Sequence, residues 1–99
     1  MIDFSKSQAY LVSVEGEITT IAPNDGKEFE LNEVQKAVEG MIEVVWLNDS
    51  WIMIVDEEGK YDGKQPNLLA TIIAHQQRAI SAWDCIVGPV IICPEKMLP

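Results

Sequence analysis

Four carboxylates crowd into one short stretch, Asp56, Glu57, Glu58 and Asp62. Neighbouring carboxylates are the groups that perform general acid–base work or hold a divalent cation. Both tasks need side chains that converge, whereas consecutive residues leaving a strand point to alternate sides. The stretch therefore reads better as a solvated turn, or as a docking patch in which Glu57 and Glu58 meet a basic partner. Directly after it, Gly59 to Lys64 (GKYDGK) has a superficial likeness to a phosphate-binding loop. Strand, loop and helix come in the right order to offer an anion the N–H groups of a helix that starts near Asn67, with Lys60 and Lys64 beside it. The P-loop spacing is absent, because Lys64 is followed by Gln65 and not by Ser or Thr. Lys60, Lys64 and Asn67 are thus candidate contacts for a small nucleotide.

His75 is the one histidine, the residue type that exchanges protons near neutral pH. No serine or cysteine stands in a recognisable nucleophile arrangement with it. Cys85 and Cys93 lie in an apolar segment at a separation that fits no zinc motif, and their ionisable neighbour Asp84 does not activate a thiol. Both are expected reduced and packed as small hydrophobes. No catalytic residue, metal site or cofactor is expected. The remaining chemistry-bearing side chains are the tryptophans. Trp46 and Trp51 flank a turn through Asn48, Asp49 and Ser50, where they either stack across strands or serve as exposed anchors, and Trp83 sits in a polar link. Trp46, Asp49, Trp51, Glu57, Glu58 and Trp83 are the candidate protein contacts.

Sixteen acidic residues oppose seven basic ones, for a net charge of −9. Such a surface repels nucleic acid and anionic membrane, which bind clustered Lys and Arg. It suits a basic protein surface, or serves only solubility. Apolar residues make up 47% of the 99-residue chain, too many for disorder and enough for one small domain spanning residues 1–99, with an ordered core over 9–93. No apolar run is long enough for a membrane span, and the N-terminus lacks the pattern of an export signal, so a cytoplasmic location is expected.

The elements that must position these residues are legible in outline. Gly40 to Lys60 predicts two apolar strands, 42–47 and 51–55, folded on each other and apolar on both faces, as in the middle of a sheet. Ala9–Val14 predicts a first strand, Glu15-Gly16 a turn, and Thr19–Ile21 a second, short strand. Asn32, with Gln35 three residues on, predicts a capped helix carrying Leu31, Val34, Ala37 and Val38 inward and ending at a left-handed Gly40. Pro66 or Asn67 opens a second helix running to about Ala79, with Leu68, Leu69, Ile72 and Ile73 as its stripe. Cys85–Cys93 predicts a last strand interrupted at Gly88-Pro89, followed by a frayed tail. The expected architecture is α+β, a mainly antiparallel sheet of about five strands with two helices. A two-sided apolar hairpin in so small a chain also favours a homo-oligomer.

Three groups of residues in this order, Gly40-Met41-Ile42-Glu43-Val44-Val45, Glu57-Glu58-Gly59-Lys60 and Asp84-Cys85-Ile86-Val87-Gly88, resemble the motifs of an uncharacterised family of small domains carried by bacteriophages and bacterial mobile elements. The resemblance runs from Ala9 to Cys93. It implies a non-enzymatic accessory protein, made in the bacterial cytoplasm, that binds and inhibits a host protein. The alternative is an oligomeric sponge that sequesters a nucleotide-type signal. The family transfers no catalytic residue.

Overall fold

The last strand of the chain lies at the centre of the sheet. The computed structural model describes residues 2–48 and 50–99; Asp49, one of the contact candidates, lies outside the described residues. In chain order the elements are β1 (Ala9–Val12), β2 (Ile18–Ile21), α1 (Leu31–Val38), β3 (Ile42–Trp46), β4 (Trp51–Asp56), α2 (Leu68–Gln76) and β5 (Val90–Pro94), then a 3₁₀ turn at Glu95–Met97. The five strands form one sheet in the order β2-β1-β5-β4-β3, antiparallel at every pairing. The α+β architecture of five strands and two helices is as the sequence predicts.

Each face of the sheet carries a core. Ile52, Ile54, Ile91 and Cys93 pack with Val34 and Val38 of α1 and with Phe29. Met53, Val55, Val90 and Ile92 pack with Ala70, Ile73 and Ala74 of α2. Helices on both faces explain why every residue of β4 and β5 is buried, including the alternate positions that a one-sided sheet would leave in water. Fully burying a single isoleucine contributes roughly 1.5–3 kcal/mol, so these two strands dominate the stability of the sheet.

The mid-chain hairpin forms, but only β4 is interior. β3 is the outermost strand and half exposed, because β5 returns from the far end of the chain to pair with the other side of β4. Trp46 and Trp51 do not stack across the hairpin. Trp46 lies opposite Ile52, which puts the two indoles on opposite faces of the sheet.

Helix boundaries differ from expectation by a residue or more, for local reasons. α1 is capped at Glu30 rather than Asn32, since the Glu33 carboxylate accepts the N–H groups of Glu30 at 2.7 Å and Asn24 at 2.9 Å. A negative charge there also suits the helix N-terminus. Its left-handed residue is Glu39, not Gly40. Leu31 is exposed. α2 is capped by Asn67, while Pro66 pairs with Val87 in an isolated bridge. It ends early because Arg78 turns left-handed and Ala79 N–H returns to the Ala74 carbonyl at 2.8 Å. Its inward face is Ala70, Ile73 and Ala74, leaving Leu68 and Ile72 exposed. Cys85–Val87 is not part of the last strand: Gly88, at φ +75°, redirects the chain before Val90. The tail is docked, with Met97 buried and its carbonyl accepting from Phe29 N–H at 2.9 Å.

Candidate functional site

The acidic stretch leaves β4 by sending its first carboxylate inward. Asp56 is buried; its Oδ1 accepts the Glu58 N–H at 3.0 Å, and its carbonyl accepts the Gly59 N–H at 3.2 Å. Its partner is Lys64, 2.6 Å away. Lys64 Nζ also donates to the Val38 and Glu39 carbonyls, each at 2.8 Å. These carbonyls end α1, where a cation is favoured by the helix dipole. Burial pushes the Asp56 carboxyl up, but the Lys64 ammonium and the Glu58 N–H outweigh it and hold the group below its ordinary 3.8. Gly40 is needed here for space, since a Cβ on it would lie 2.5 Å from Asp56 Oδ1. Lys64 is therefore a structural cation and not an anion contact. Glu57 and Glu58 are exposed.

Asn67 is likewise spent on the fold. Wholly buried, it caps α2 by accepting the Ala70 N–H at 3.1 Å and donates from Nδ2 to Val12 O at 3.0 Å and Gly88 O at 2.9 Å. The helix N-terminus is thus closed by its own cap, and the expected anion cradle of Lys60, Lys64 and Asn67 does not assemble.

Lys60 turns away from Lys64 and pairs with Asp84. Asp84 Oδ1 also accepts the Cys85 N–H at 2.8 Å, and its carbonyl lies 3.0 Å from His75 Nε2. The hydrogen bond with Asp84 raises Lys60 above its ordinary value and, reciprocally, lowers Asp84. This pair clips the loop after β4 to the loop before Gly88, and both residues line a groove of about 440 Å³. Glu43 and Val45 of β3 form one wall, and Tyr61, Ile80 and Asp84 contribute to the others. Tyr61, which lines the groove, follows Lys60, and Trp83, outside its lining, precedes Asp84; they stand 92% and 89% exposed. Large aromatic rings left in water beside a groove are what a binding surface offers, since each supplies contact area at little entropic cost.

The other tryptophans separate. Trp46 is 53% exposed at the end of β3, while Trp51 is 5% exposed. Trp51 packs edge-on against Phe4 with ring centroids 4.9 Å apart, so it is a core residue and not a contact. Cys93 is buried in the sheet, which pushes its thiol up to about 12, and Cys85 is exposed. Among the described residues no group of three or more His, Cys, Asp or Glu gathers as a metal site. No described helix is long and apolar enough to cross a membrane.

Tyr61 and Glu43 were not legible as site residues. Tyr61 carried a signal, an aromatic in the polar loop YDGKQP outside any apolar period. Glu43 carried one only in part, as the single charge in a β3 that otherwise reads as apolar.

The family described as "Domain of unknown function (DUF3846)" matches residues 6–96 of the chain. No curated protein and no solved structure matches it.

Proposed function

The chain belongs to the DUF3846 family of domains of unknown function, and from that premise we propose that it acts by binding a protein, without catalysis. The partner surface is basic with apolar residues among its charges. It docks on the groove lined by Tyr61 and Glu57 and on Trp83 and Glu58, which adjoin its lining residues in the two loops. In biological terms the chain is an accessory protein of a phage or mobile element that occupies and inhibits a host protein in the bacterial cytoplasm, as the motif resemblance implies.

The observation that carries this reading is the pairing of Lys60 with Asp84. It ties together the two loops that carry Tyr61 and Trp83, whose rings stand almost fully exposed, so the backbone of both loops is held before a partner arrives. Loops already tied down lose less entropy on binding than mobile ones. The net charge of −9 steers a basic partner toward them. The alternative, a sponge for a nucleotide-type signal, has less support. Lys60 is paired with Asp84, and Lys64 and Asn67 are committed to the fold.

Capture from a lysate of the bacterium that carries the gene, with mass spectrometry of the protein and small-molecule fractions, tests the proposal. A basic protein is expected to co-purify and to elute as salt rises. Trp83→Ala, or Glu57→Lys with Glu58→Lys, is expected to weaken its retention at least about tenfold. A retained nucleotide with no protein would favour the sponge, and conversion of a small molecule would make the chain an enzyme. Either outcome overturns the proposal.

A further inference from the structure

We infer that β3 is an interface between two copies of this chain, paired antiparallel through their β3 strands into one continuous sheet. Hydrogen-bonded and non-bonded pairs alternate along an antiparallel ladder. Leu47 N–H bonds to Trp51 O at 3.0 Å, and Glu57 N–H to Met41 O at 2.7 Å. Residues 41, 43, 45 and 47 therefore face β4, and Ile42, Val44 and Trp46 turn their N–H and C=O groups outward. Among the described residues nothing bonds to those outward groups.

Exposed edges are ordinarily blunted by charged side chains (lysine above all), proline, a bulge or short length. β3 has one charge, Glu43, and no lysine, proline or bulge: its sequence is IEVVW, and it pairs with β4 without interruption over five residues. The opposite edge, β2, is shorter and presents Thr19 and Thr20 to water.

A second copy fits this edge because the strand is complementary to itself about Val44. In that register Val44 meets the partner's Val44, and Ile42 meets the partner's Trp46 on the same face. Every outward N–H finds an outward C=O. Glu43, the only charge in β3, falls opposite the partner's Val45 and not opposite its own counterpart, so like charges do not face each other across the new ladder. The indole of Trp46, more than half exposed in a lone copy, is covered by the aliphatic side chain it meets. The two-fold axis is perpendicular to the sheet, so α1 of both copies lies on one face and both grooves open on the other. Glu43 and Val45, which wall the groove, then lie beside the same residues of the second copy. The two grooves therefore adjoin across the new ladder, while the pairing itself uses only the backbone and side chains of β3.

Sedimentation equilibrium of the purified full chain tests the pairing. Two copies each carrying −9 repel, so the dimer, at twice the 11.1 kDa chain mass, is expected to tighten between about 0.05 M and about 0.5 M salt as repulsion is screened. A basic partner in the groove would show the opposite dependence. Val44→Pro removes an outward N–H that the β3–β4 ladder does not use, and edge strands tolerate proline in that orientation. Val44→Lys blunts the edge, and because Val44 packs only in part against the core on the α1 face, the lysine stem keeps that contact while its ammonium reaches water. Both are expected to weaken the dimer at least about 30-fold with circular dichroism unchanged. A chain that stays at monomer mass at every concentration and salt overturns the inference. So does a dimer unaffected by Val44→Lys, or a β3 edge taken only by a strand of another protein.

Discussion

Lys64 reaches Asp56 across 2.6 Å and, with the same ammonium group, closes the end of α1 through the Val38 and Glu39 carbonyls. One side chain from a surface loop thereby ties β4 to the helix that precedes β3. Because the Asp56 side chain is only 1% exposed, removing Lys64 leaves a buried charge unpaired, whereas removing Asp56 leaves the partly exposed Lys64 its two carbonyls. Lys64→Met is expected to cost about 3–5 kcal/mol near neutral pH, and Asp56→Asn less.

The same pair sets a pH dependence. The folded-state value of Asp56 lies below its ordinary 3.8, so the native state holds this proton less tightly than the unfolded chain does. Its contribution is fully present above the unfolded-state value and is lost as pH falls through the folded-state value. Urea unfolding across a series of acidic pH values should show wild-type stability falling below about pH 4. Asp56→Asn should fall less steeply over that window, and parallel profiles would contradict the assignment.

Gly40 is constrained by space and not by a left-handed backbone, since the left-handed residue beside it is Glu39. Gly40→Ala must displace the Asp56 carboxylate and is expected to destabilise by about 1–3 kcal/mol. In an Asp56→Ala background the added methyl group meets no carboxylate and should cost much less. A double-mutant cycle that shows simple additivity would place the strain elsewhere.

Asn67 serves three backbone groups from one buried amide. Asn67→Ala strips the cap from α2 and leaves the Val12 and Gly88 carbonyls without their donor, an expected loss of about 3 kcal/mol. Asn67→Asp retains the capping oxygen but sets a carboxylate against two carbonyl oxygens, and should be at least as damaging. Chemical denaturation of both variants checks the order.

Cys85 is exposed and Cys93 is buried with its thiol pushed up to about 12. A thiol reagent should therefore modify one cysteine per native chain rapidly, and the second only on unfolding. Peptide mapping should place the rapid label on Cys85. Rapid labelling of Cys93 would mean that the central strand opens in the native state.

What the sequence disclosed follows from the range of the interactions involved. β4 and β5 were legible because burial on both faces leaves an uninterrupted apolar run. Asn67 was legible as a cap because capping acts within one turn. The marginal place of β3 was not, since its apolar content equals that of an interior strand and only the return of β5 decides which side of β4 stays open. For the same reason the fates of Trp46 and Trp51 could not be separated: their alternation was visible, but not that Phe4 covers one of them. Lys64 looked like an anion contact because its partners, Asp56 and the end of α1, are assembled only by tertiary structure.

Hydrogen exchange on the complex with the captured protein tests the central claim, that the groove lined by Tyr61, together with the loop that carries Trp83, is the contact surface. Amides in 57–62 and 81–85 are predicted to gain protection on binding. Protection confined to β2 or to the exposed face of α1, with those two loops unchanged, would contradict it.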